Sequence, residues 1–470
     1  MPTTMISTPS LPEQLKGIVG AAYVLTDPVE IQTFVTDWRG RFFGSAQCVV
    51  RPADTAEVAA VVKACIEAGA PIVPQGGNTS LCGAATPDAA GQAVVVSLSR
   101  LNRIAAVDAK NNTISVEAGC TLATVQAAAR AVDRLFPLAL ASEGTCQIGG
   151  NLSTNAGGVQ VLRYGNTREL TLGLEVVLPS GEIWQGLRGL RKDNTGYDLK
   201  QLFIGAEGTL GIITGAVLKL FPLPKSQTTC WLNVASPNAA VDLLNQAKIA
   251  FDGQLTAFEL VSETALGLVL KNIPGTQRPG SSAAWYVLAE FSDTSSYAVE
   301  YWLHARLEAD EVLDAVIAQS ETQAGNLWAL RENISEAQKI EGVSIKHDIA
   351  VPVSAIPAFL EQADAALAAT FPGIRVVAFG HVGDGNLHYN LSKPEAQENT
   401  RFVASQREVN QIVHDAVDVL KGSISAEHGI GQLKHEELLR YKSPVEMALM
   451  RSIKQALDPR GLMNPGKIFL

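Results

Sequence analysis

Apolar residues recur at helical spacing in one segment near the start of the chain. Between Asp54 and Gly69 they form a stripe, Asp54 is a good N-cap, and Gly69 can end the helix. β-type runs follow at residues 71–74, 93–98, 103–108 and 113–118, and an alanine-rich run predicts a helix at residues 121–134. The first part of the chain is therefore predicted to contain short strands and few long helices.

Strands and helices alternate beyond a Phe-Pro-Leu-Pro break at residues 221–224. The pattern predicts strands at residues 228–234, 255–260 and 284–291, and helices at residues 237–251, 297–319 and 443–457. This order indicates an α+β layer over an antiparallel sheet. We therefore expect three regions, namely residues 1–223, residues 224–422 with this sheet, and a small C-terminal helical segment at residues 423–470.

Composition and charge narrow the class of protein. Of the 470 residues, 47% are hydrophobic and 18% are charged, which is ample apolar material for a folded core. The net charge of −10 and the pI of about 5.3 argue against a nucleic-acid binder. No window is apolar enough to span a bilayer, and the start carries no signal pattern, so we expect a cytoplasmic protein. The six scattered cysteines fit reduced thiols.

Three glycine clusters make the first region a candidate anion site. They comprise residues 76–80, 149–158 and 205–211. Glycine permits positive φ and lets backbone N–H groups turn onto an anion, so several such turns together can wrap a pyrophosphate. Each cluster alone is equally well explained by tight turns and close packing. The G-x-G-x-x-G signature of the Rossmann crevice is absent, so a dinucleotide would bind in another kind of fold.

Five of the seven histidines fall between residues 381 and 435. Residues 380–390 have the pattern of strand, tight turn and strand, which brings His381 and His388 to the same end of a hairpin. Glu427 and His428 follow later, beside another glycine. Two imidazoles and one carboxylate are the three protein ligands of a catalytic Zn²⁺ site, and they also suit Mn²⁺, Fe²⁺ or Co²⁺. A hydrogen-bonded histidine turn is the alternative, because the spacing matches no short zinc signature.

Neighbouring polar residues receive simpler interpretations. His414 and His435 are expected to be solvated. Asp384, in the turn, is expected to bond its own backbone. Asn390 lies two residues beyond His388 and therefore on the same face of the strand, which makes it a candidate substrate ligand.

Several blocks of the sequence resemble, in order and spacing, the FAD domain of the vanillyl-alcohol-oxidase family. The blocks are PIVPQGGNTS, SEGTCQIGGNLSTNAGG, YGNTREL, IGAEGTLGIIT and the C-terminal NPGKIF. The resemblance implies an α+β fold in which two subdomains bind FAD and a separate α+β domain binds the substrate.

By this resemblance, three groups of residues bind FAD. The pyrophosphate is assigned to Pro74, Gln75, Gly76, Gly77, Asn78, Thr79 and Ser80. The isoalloxazine edge is assigned to Ser142, Glu143, Gly144, Thr145, Gly149, Asn151, Thr154 and Asn155. The adenosine side is assigned to Gly205, Glu207, Gly208, Gly211 and Ile212, with Asn464 as a flavin-side contact. Members that attach FAD covalently often have a histidine where this chain has Asn78, so we expect noncovalent FAD.

The blocks GHVGDGNLH and AEHGIG resemble a branch of this family that oxidises D-2-hydroxy acids. The branch includes D-lactate dehydrogenases, glycolate oxidase flavoprotein subunits and D-2-hydroxyglutarate dehydrogenases. The resemblance implies that His381, His388 and Glu427 bind a divalent metal, with Zn²⁺ as the first choice. It also implies that His428 takes the hydroxyl proton while a hydride passes to flavin N5.

The Trp-x-x-Arg motif that ends at Arg331 resembles the one that precedes the active site in this branch. With Ser335 and with Lys346, in a predicted strand at residues 344–348, Arg331 would hold the far carboxylate of D-2-hydroxyglutarate. The alternative is that Arg331 and Lys346 pair with nearby surface carboxylates, namely Glu332, Glu336 or Asp348.

Other functions stay open at this point. D-lactate, D-malate or glycolate could replace D-2-hydroxyglutarate, since the chemistry is the same. A metal-dependent hydrolase with purely structural glycine loops and a flavoprotein that only relays electrons are alternatives from other classes. The resemblance implies a soluble electron acceptor, such as electron-transfer flavoprotein. An α+β C-terminal half can carry a homodimer surface, although nothing in the sequence marks one.

Overall fold

The chain forms two compact units in a computed structural model that describes residues 9–394 and 398–469. Unit 1 contains the chain up to Ala156, then Asn166–Leu223 and the chain from His428 onward. Unit 2 contains Gly157–Gly165 and Pro224–Glu427. The units divide between residues 223 and 224, as expected. Residues 157–165, expected in the first region, and residues 423–427, expected in the C-terminal segment, belong to unit 2. Residues 1–8, on which the expectation about a targeting signal partly rests, lie outside the described residues.

Unit 1 contains two main sheets. The first has four strands in the spatial order Val24–Leu25, Ala46–Val50, Ala93–Ser97 and Ile72–Gln75. The last three run parallel and are largely buried, as their valine-rich sequences require. The second sheet is antiparallel, in the order Ile104–Asp108, Thr113–Glu117, Ile212–Lys219, Thr171–Val177 and Ile183–Gly186. Arg134–Leu135 and Phe221–Pro222 form a separate ladder.

The helices of unit 1 begin and end at the expected kinds of residue. Thr55–Ala68 begins where Asp54 Oδ1 accepts a hydrogen bond from Glu57 N at 2.9 Å, and it ends at Gly69 with φ of 70°. Pro444–Leu457 begins with the capping box of Ser443 and Glu446. The other helices are Leu11–Val19, Ala21–Tyr23, Pro28–Val35, Leu122–Arg130, Ile148–Ser153, Lys200–Phe203 and His435–Tyr441.

One antiparallel sheet dominates unit 2. Its strands run in the order Asp314–Ile317, Gln227–Val234, Trp285–Ser292, Leu255–Ser262, Arg375–Gly380, Asn386–Ser392 and Ser344–Ile345, and Asp348–Ala350 also pairs with Asn386–Ser392. The helices are Val161–Tyr164, Pro237–Phe251, Asp252–Gln254, Glu263–Asn272, Ser296–Glu308, Glu321–Glu332, Ile334–Glu341, Val353–Ala355, Ile356–Thr370, Asn399–Ala404 and Gln406–Val419. Trp231, Tyr286 and Leu330 lie in the buried core between sheet and helices.

Two predicted helices are too long. The helix predicted at residues 297–319 ends at Glu308, and Asp314–Ile317 instead pairs with Gln227–Val234 at the edge of the sheet. Pairing with an existing strand overrides the helical propensity of this segment. The helix predicted at residues 121–134 ends at Arg130, and the ladder partner Arg134–Leu135 follows.

The expectation that two histidines are solvated is wrong. His414 is 2% exposed, and its ring packs edge-on against that of His347 at 5.5 Å. His435 is half-buried. In contrast, all six cysteines are buried thiols. Within the described part of the chain, no helix combines the length and apolar character needed to cross a membrane.

Candidate active site

His381 and His388 lie at one end of a β-hairpin in unit 2. His381 directly follows the first strand, Arg375–Gly380, and His388 lies in the second, Asn386–Ser392. Asp384 holds the turn as predicted, because its Oδ1 accepts a hydrogen bond from the backbone N–H two residues later at 3.1 Å.

Glu427 adds a carboxylate to these two imidazoles. Its backbone N–H donates to Asp348 Oδ2 at 2.9 Å, which fixes this distant part of the chain beside the hairpin. The Nε2 atoms of His381 and His388 lie 3.9 and 4.0 Å from separate oxygens of Glu427. An added Cβ at Gly157 would lie 2.9 Å from Glu427 Oε1, so a side chain there would require this carboxylate to shift.

These three side chains fit a divalent cation. One ligand atom from each lies within 4.8 Å of the others. Separations of 3.9 and 4.0 Å are too long for hydrogen bonds. They leave room for an ion about 2.0–2.2 Å from nitrogen and oxygen ligands.

A buried glutamate that was not predicted from the sequence links this cluster to Arg331. Glu259 lies in the strand Leu255–Ser262, and its side chain is 1% exposed. Its Oε1 accepts a hydrogen bond from His381 Nδ1 at 2.6 Å, and its Oε2 accepts one from Arg331 Nε at 2.7 Å. A histidine that binds metal commonly donates its other ring N–H to a carboxylate. The sequence contained one indication of this role, because Glu259 is the single acidic residue in an otherwise largely apolar strand. A glutamate is seldom buried in such a strand without partners.

Three further carboxylates, those of Glu259, Asp348 and Asp384, lie around the cluster. Burial raises the pKa of Glu427 to about 7, against the effect of His381 and with a further contribution from Asp348. Burial also raises the pKa of Asp384 to about 6. Burial would lower the pKa of His381, but the carboxylate of Glu259 outweighs it and raises the pKa to about 9. A bound cation would relieve the repulsion that disfavours ionised Glu427.

Arg331 has the geometry of a carboxylate-binding residue. It is buried in the helix Glu321–Glu332, with its guanidinium 4.7 Å from the ring centre of Phe379. The bond to Glu259 uses Nε, and within the described residues the guanidinium makes no other hydrogen bond. Its two terminal amino groups can therefore take a carboxylate in a bidentate contact. Its partner is a buried carboxylate and not one of the surface carboxylates considered above.

Lys346 and Ser335 differ in exposure. Lys346 is half-buried between Ser344–Ile345 and Asp348–Ala350, so the strand predicted there is interrupted. Ser335 is exposed at the start of the helix Ile334–Glu341.

Asn390 makes structural hydrogen bonds. It is 3% exposed; its Nδ2 donates to Gln338 Oε1 at 2.8 Å, and its Oδ1 accepts from His347 N at 3.3 Å. The second bond fixes the backbone next to Lys346. A direct contact with substrate would compete with these bonds.

His428 directly follows Glu427 and is half-buried. It is the first residue of the C-terminal part of unit 1. Gly429 follows with φ of 76°, a left-handed conformation that side chains disfavour. The predicted base is therefore one peptide bond away from a predicted metal ligand.

The first glycine loop of unit 1 follows the strand Ile72–Gln75, which includes Pro74. Gln75 donates from Nε2 to two backbone carbonyls at 2.8 Å each. At Gly77 an added Cβ would lie 2.0 Å from the carbonyl oxygen of Thr145, so no side chain fits. Asn78 has φ of 53°, and its Nδ2 donates to two carbonyls at 3.1 and 2.9 Å. The loop residues Gly76, Gly77, Asn78, Thr79 and Ser80 are half-buried.

The second group of predicted flavin residues forms a loop and a short helix, Ile148–Ser153. Thr154 Oγ1 donates to the carbonyl four residues earlier at 3.1 Å, so this hydroxyl satisfies its own helix. The predicted residues range from exposed Glu143, Gly144 and Thr145, through half-buried Ser142, Thr154 and Asn155, to buried Gly149 and Asn151.

The third group forms a turn before the strand Ile212–Lys219. Its residues are Gly205, Glu207 and Gly208, all with positive φ, followed by Gly211 and Ile212. The buried carboxylate of Glu207 accepts hydrogen bonds from Ile430 N and Gly431 N at 2.7 Å each, so only its backbone is left for the predicted cofactor contact. Those bonds hold the C-terminal segment of unit 1. Asn464 is also buried, and its Nδ2 donates to the carbonyl of Glu207 at 2.8 Å.

Two buried acceptor atoms beside these loops fit a bound cofactor. Gln147 Oε1 and Asn464 Oδ1 have no hydrogen-bond partner within the described residues. Gln147 Oε1 would lie 3.4 Å from an added Cβ at Gly76, and the amide of Asn464 lies beside Gly208. Buried polar atoms are normally hydrogen-bonded, so these two suit the N–H and O–H groups of FAD.

Known proteins match both units. The model of an FAD binding domain matches residues 46–186, and the model of the C-terminal domain of FAD linked oxidases matches residues 223–468. A D-2-hydroxyglutarate dehydrogenase of Xanthomonas citri pv. viticola is 41% identical, covering 97% of this chain and 96% of that protein. A D-2-hydroxyglutarate dehydrogenase of Stutzerimonas stutzeri is 38% identical, and the match covers 99% of this chain and 100% of that protein. The mitochondrial one of Arabidopsis thaliana is 37% identical, covering 96% and 80%.

Solved structures share the fold at low sequence identity. p-Cresol methylhydroxylase with substrate bound superposes with a TM-score of 0.74 at 16% identity, covering 97% of this chain and 96% of that one. 4-Ethylphenol oxidase from Gulosibacter chungangensis gives 0.71 at 18% identity, covering 98% and 96%. The predicted α+β fold of the vanillyl-alcohol-oxidase type is thereby confirmed. The chain belongs to the family of FAD-linked oxidases and is an enzyme with FAD as its cofactor.

Proposed function

We propose that this enzyme oxidises D-2-hydroxyglutarate to 2-oxoglutarate, with a divalent metal at His381, His388 and Glu427. The proposal rests on the two hydrogen bonds that Glu259 accepts. One comes from His381, a proposed metal ligand, and the other from Arg331, whose two terminal amino groups are available for a substrate carboxylate. Relatives that match nearly the whole chain are named D-2-hydroxyglutarate dehydrogenase, which supports the same substrate.

Two cations would hold the far carboxylate of this substrate. Arg331 offers a planar pair of N–H donors and Lys346 offers a second positive charge. Ser335 would add a hydroxyl, although its exposure makes it the weakest member of the set. Asn390 would act next to Lys346, through the backbone of His347 or by exchanging one of its bonds for the substrate.

Proton removal is assigned to His428. A divalent cation, with Zn²⁺ as the first choice, would lower the pKa of the alcohol it binds. Histidine, with an unperturbed pKa of about 6.5, then suits the task. His381 and His388 would have Nε2 occupied as ligand atoms, so they cannot take the proton there.

FAD would be held without a covalent bond by the three glycine-rich groups of unit 1, and it would accept the hydride from Cα. Asn78 supports a noncovalent attachment, because an amide forms no such link and its Nδ2 already holds the loop. Glu207 would contribute through its backbone, since its side chain is engaged by residues 430 and 431. Asn464 and Gln147 would add side-chain acceptors.

Anaerobic reduction of the bound flavin tests the proposal. D-2-hydroxyglutarate should bleach the yellow colour, and its L-enantiomer should not. A panel with D-lactate, D-malate and glycolate identifies the substrate class. Faster bleaching by D-lactate or glycolate would replace the proposed substrate with the shorter acid. A protein that no hydroxy acid reduces would be an electron relay, and a colourless one would not be a flavoenzyme.

Three wider expectations stay predictions. They are a soluble electron acceptor such as electron-transfer flavoprotein, a homodimer, and a cytoplasmic location. The relatives from Arabidopsis thaliana and Danio rerio are named mitochondrial proteins, so location within the family varies.

A further inference from the structure

We infer that Glu259 is a positioning residue that couples the metal site to the binding of the substrate's far carboxylate. This inference rests on the proposed function for the identities of the metal ligands and the substrate. It concerns a residue that touches neither metal nor substrate and acts through His381 and Arg331.

The burial of Glu259 needs both of its partners. The strand Leu255–Ser262 pairs with Trp285–Ser292 and, near its end, with Arg375–Gly380, and all of its residues are buried. A carboxylate there is costly unless it is paired and hydrogen-bonded. Its two oxygens accept one hydrogen bond each, from His381 and from Arg331, so one carboxylate holds two side chains from separate elements.

The first consequence concerns the tautomer of His381. Nδ1 donates its proton to Glu259 Oε1 at 2.6 Å, so Nε2 is the nitrogen left to bind a metal once the ring is neutral. That atom faces Glu427 Oε1 at 3.9 Å, where the metal would lie. Loss of an outer carboxylate of this kind typically weakens metal affinity about 10–100-fold.

The second consequence concerns the orientation of Arg331. The bond from Nε to Glu259 Oε2 at 2.7 Å fixes the plane of the guanidinium, and the ring of Phe379 lies against it. The fork of terminal amino groups is therefore oriented before substrate arrives. Since the same carboxylate orients the metal ligand, a change at Glu259 should weaken metal binding and dicarboxylate binding together.

Glu259→Gln separates these effects with little change of shape. The amide oxygen can accept the bond from Arg331 Nε, but the amide NH₂ group then faces His381 Nδ1. That arrangement favours the Nε2–H tautomer, which offers no lone pair to a metal on the Nε2 side. Glu290→Gln is the matched control, because Glu290 is also a buried glutamate and lies on the adjacent strand. It accepts a hydrogen bond of 3.0 Å from Trp328, which lies in the same helix as Arg331.

The test measures Zn²⁺ affinity of the metal-stripped, FAD-loaded enzyme by competition with a chromophoric chelator. Glu259→Gln should bind Zn²⁺ about 10–100-fold more weakly than the native enzyme, with Glu290→Gln close to native. At saturating Zn²⁺, Glu259→Ala, which also removes the acceptor of Arg331, should raise KM for D-2-hydroxyglutarate more than KM for D-lactate, and Glu259→Gln should not. Native Zn²⁺ affinity in Glu259→Gln, equal weakening in Glu259→Gln and Glu290→Gln, or an equal rise of both KM values in Glu259→Ala would overturn the inference.

Failure of the proposed function has a different signature. In that case D-2-hydroxyglutarate fails to bleach the flavin of the native enzyme, while Zn²⁺ affinity still reports on Glu259. If Glu259→Gln does not fold, ¹⁵N NMR of histidine-labelled native enzyme decides the matter. The inference requires that the assigned ring of His381 is protonated on Nδ1 in the Zn²⁺-bound enzyme. Protonation of that ring on Nε2 would contradict it.

Discussion

The Oε2 atom of Glu207 accepts a hydrogen bond of 2.7 Å from the backbone N–H of Gly431. The other oxygen accepts an equally short bond from Ile430 N. Burial raises the pKa of Glu207 although both bonds oppose the shift. One buried carboxylate thus ties the third glycine group of unit 1 to its C-terminal segment, and this explains why an acidic residue lies in a loop predicted to face a cofactor.

Glu207→Ala should destabilise unit 1. The buried N–H of Gly431 and the partly buried N–H of Ile430 lose their acceptor, at up to about 1–3 kcal/mol for each. Urea unfolding measures the change, and FAD retention after gel filtration should fall with it. Glu67→Ala, at an exposed position in Thr55–Ala68, is the control and should stay within about 0.5 kcal/mol of native. Equal stability of the two variants would exclude the anchoring role.

Metal removal should stop flavin reduction without releasing FAD. The residues predicted to bind FAD belong to unit 1, and His381, His388 and Glu427 belong to unit 2, so FAD and the metal would be bound by different residues. The absorbance of the flavin band, recorded before and after chelation, measures how much FAD stays bound. Its loss on addition of substrate measures flavin reduction in the same sample. Normal turnover by protein shown to be metal-free by elemental analysis would contradict the metal's role.

Lys346→Ala should impair D-2-hydroxyglutarate oxidation more than D-lactate oxidation. A desolvated carboxylate that loses a charged partner costs about 2–5 kcal/mol, and D-lactate has no far carboxylate. The ratio of kcat/KM for the two acids is the readout. Lys339→Ala removes an exposed lysine that pairs only loosely with Glu336, at 3.5 Å, and should leave the ratio unchanged. A uniform loss on both acids would assign Lys346 to the shared carboxylate or to the fold.

His428→Ala should keep FAD and metal but reduce flavin at least ~100-fold more slowly. The residual rate should rise with pH, because hydroxide replaces the missing base. Stopped-flow anaerobic reduction over a pH series measures both effects, and elemental analysis checks the metal. If the variant loses metal and regains near-normal rates when metal is added back, His428 is a ligand and another residue is the base.

Glu341→Gln should lower the stability of unit 2 by about 1–2 kcal/mol at pH 7. Hydrogen bonds from Lys271 and Arg375, at 2.8 Å each, lower the pKa of Glu341 to about 2. A carboxyl group with a lowered pKa stabilises the folded state at pH values above its ordinary pKa of 4.5. This stabilisation is lost as the pH falls toward 2. The difference between native and variant in thermal unfolding should therefore shrink from pH 5 downward. A difference that persists at low pH would show that shape matters and charge does not.

Local patterns predicted much of the fold because their causes are local. The cap residues Asp54 and Ser443 mark helix starts by hydrogen bonds within one turn. The hairpin between His381 and His388 follows from its turn residues. The strand Asp314–Ile317 was predicted as helix, since only its pairing with a distant strand decides its conformation.

The proposed metal ligands could be named from the sequence, whereas the residues that support them could not. His381, His388 and Glu427 carry a chemical signature that the blocks around them reveal. Glu259 and the hydrogen bonds of Asn390 depend on residues far away in sequence, so no local pattern contains them. The burial of His414 likewise depends on the ring of His347.

The chain leaves unit 1 after Leu223 and returns to it at His428. During synthesis, roughly 200 residues of unit 2 must therefore emerge from the ribosome before unit 1 receives its last part. At ~5–20 residues per second, this interval lasts about 10–40 s. For that time, the strand Ile72–Gln75 lacks the backbone bond that Ile72 N donates to Leu462 O at 2.8 Å. The nascent first half is thus exposed to chaperones and proteases until the end of the chain completes it.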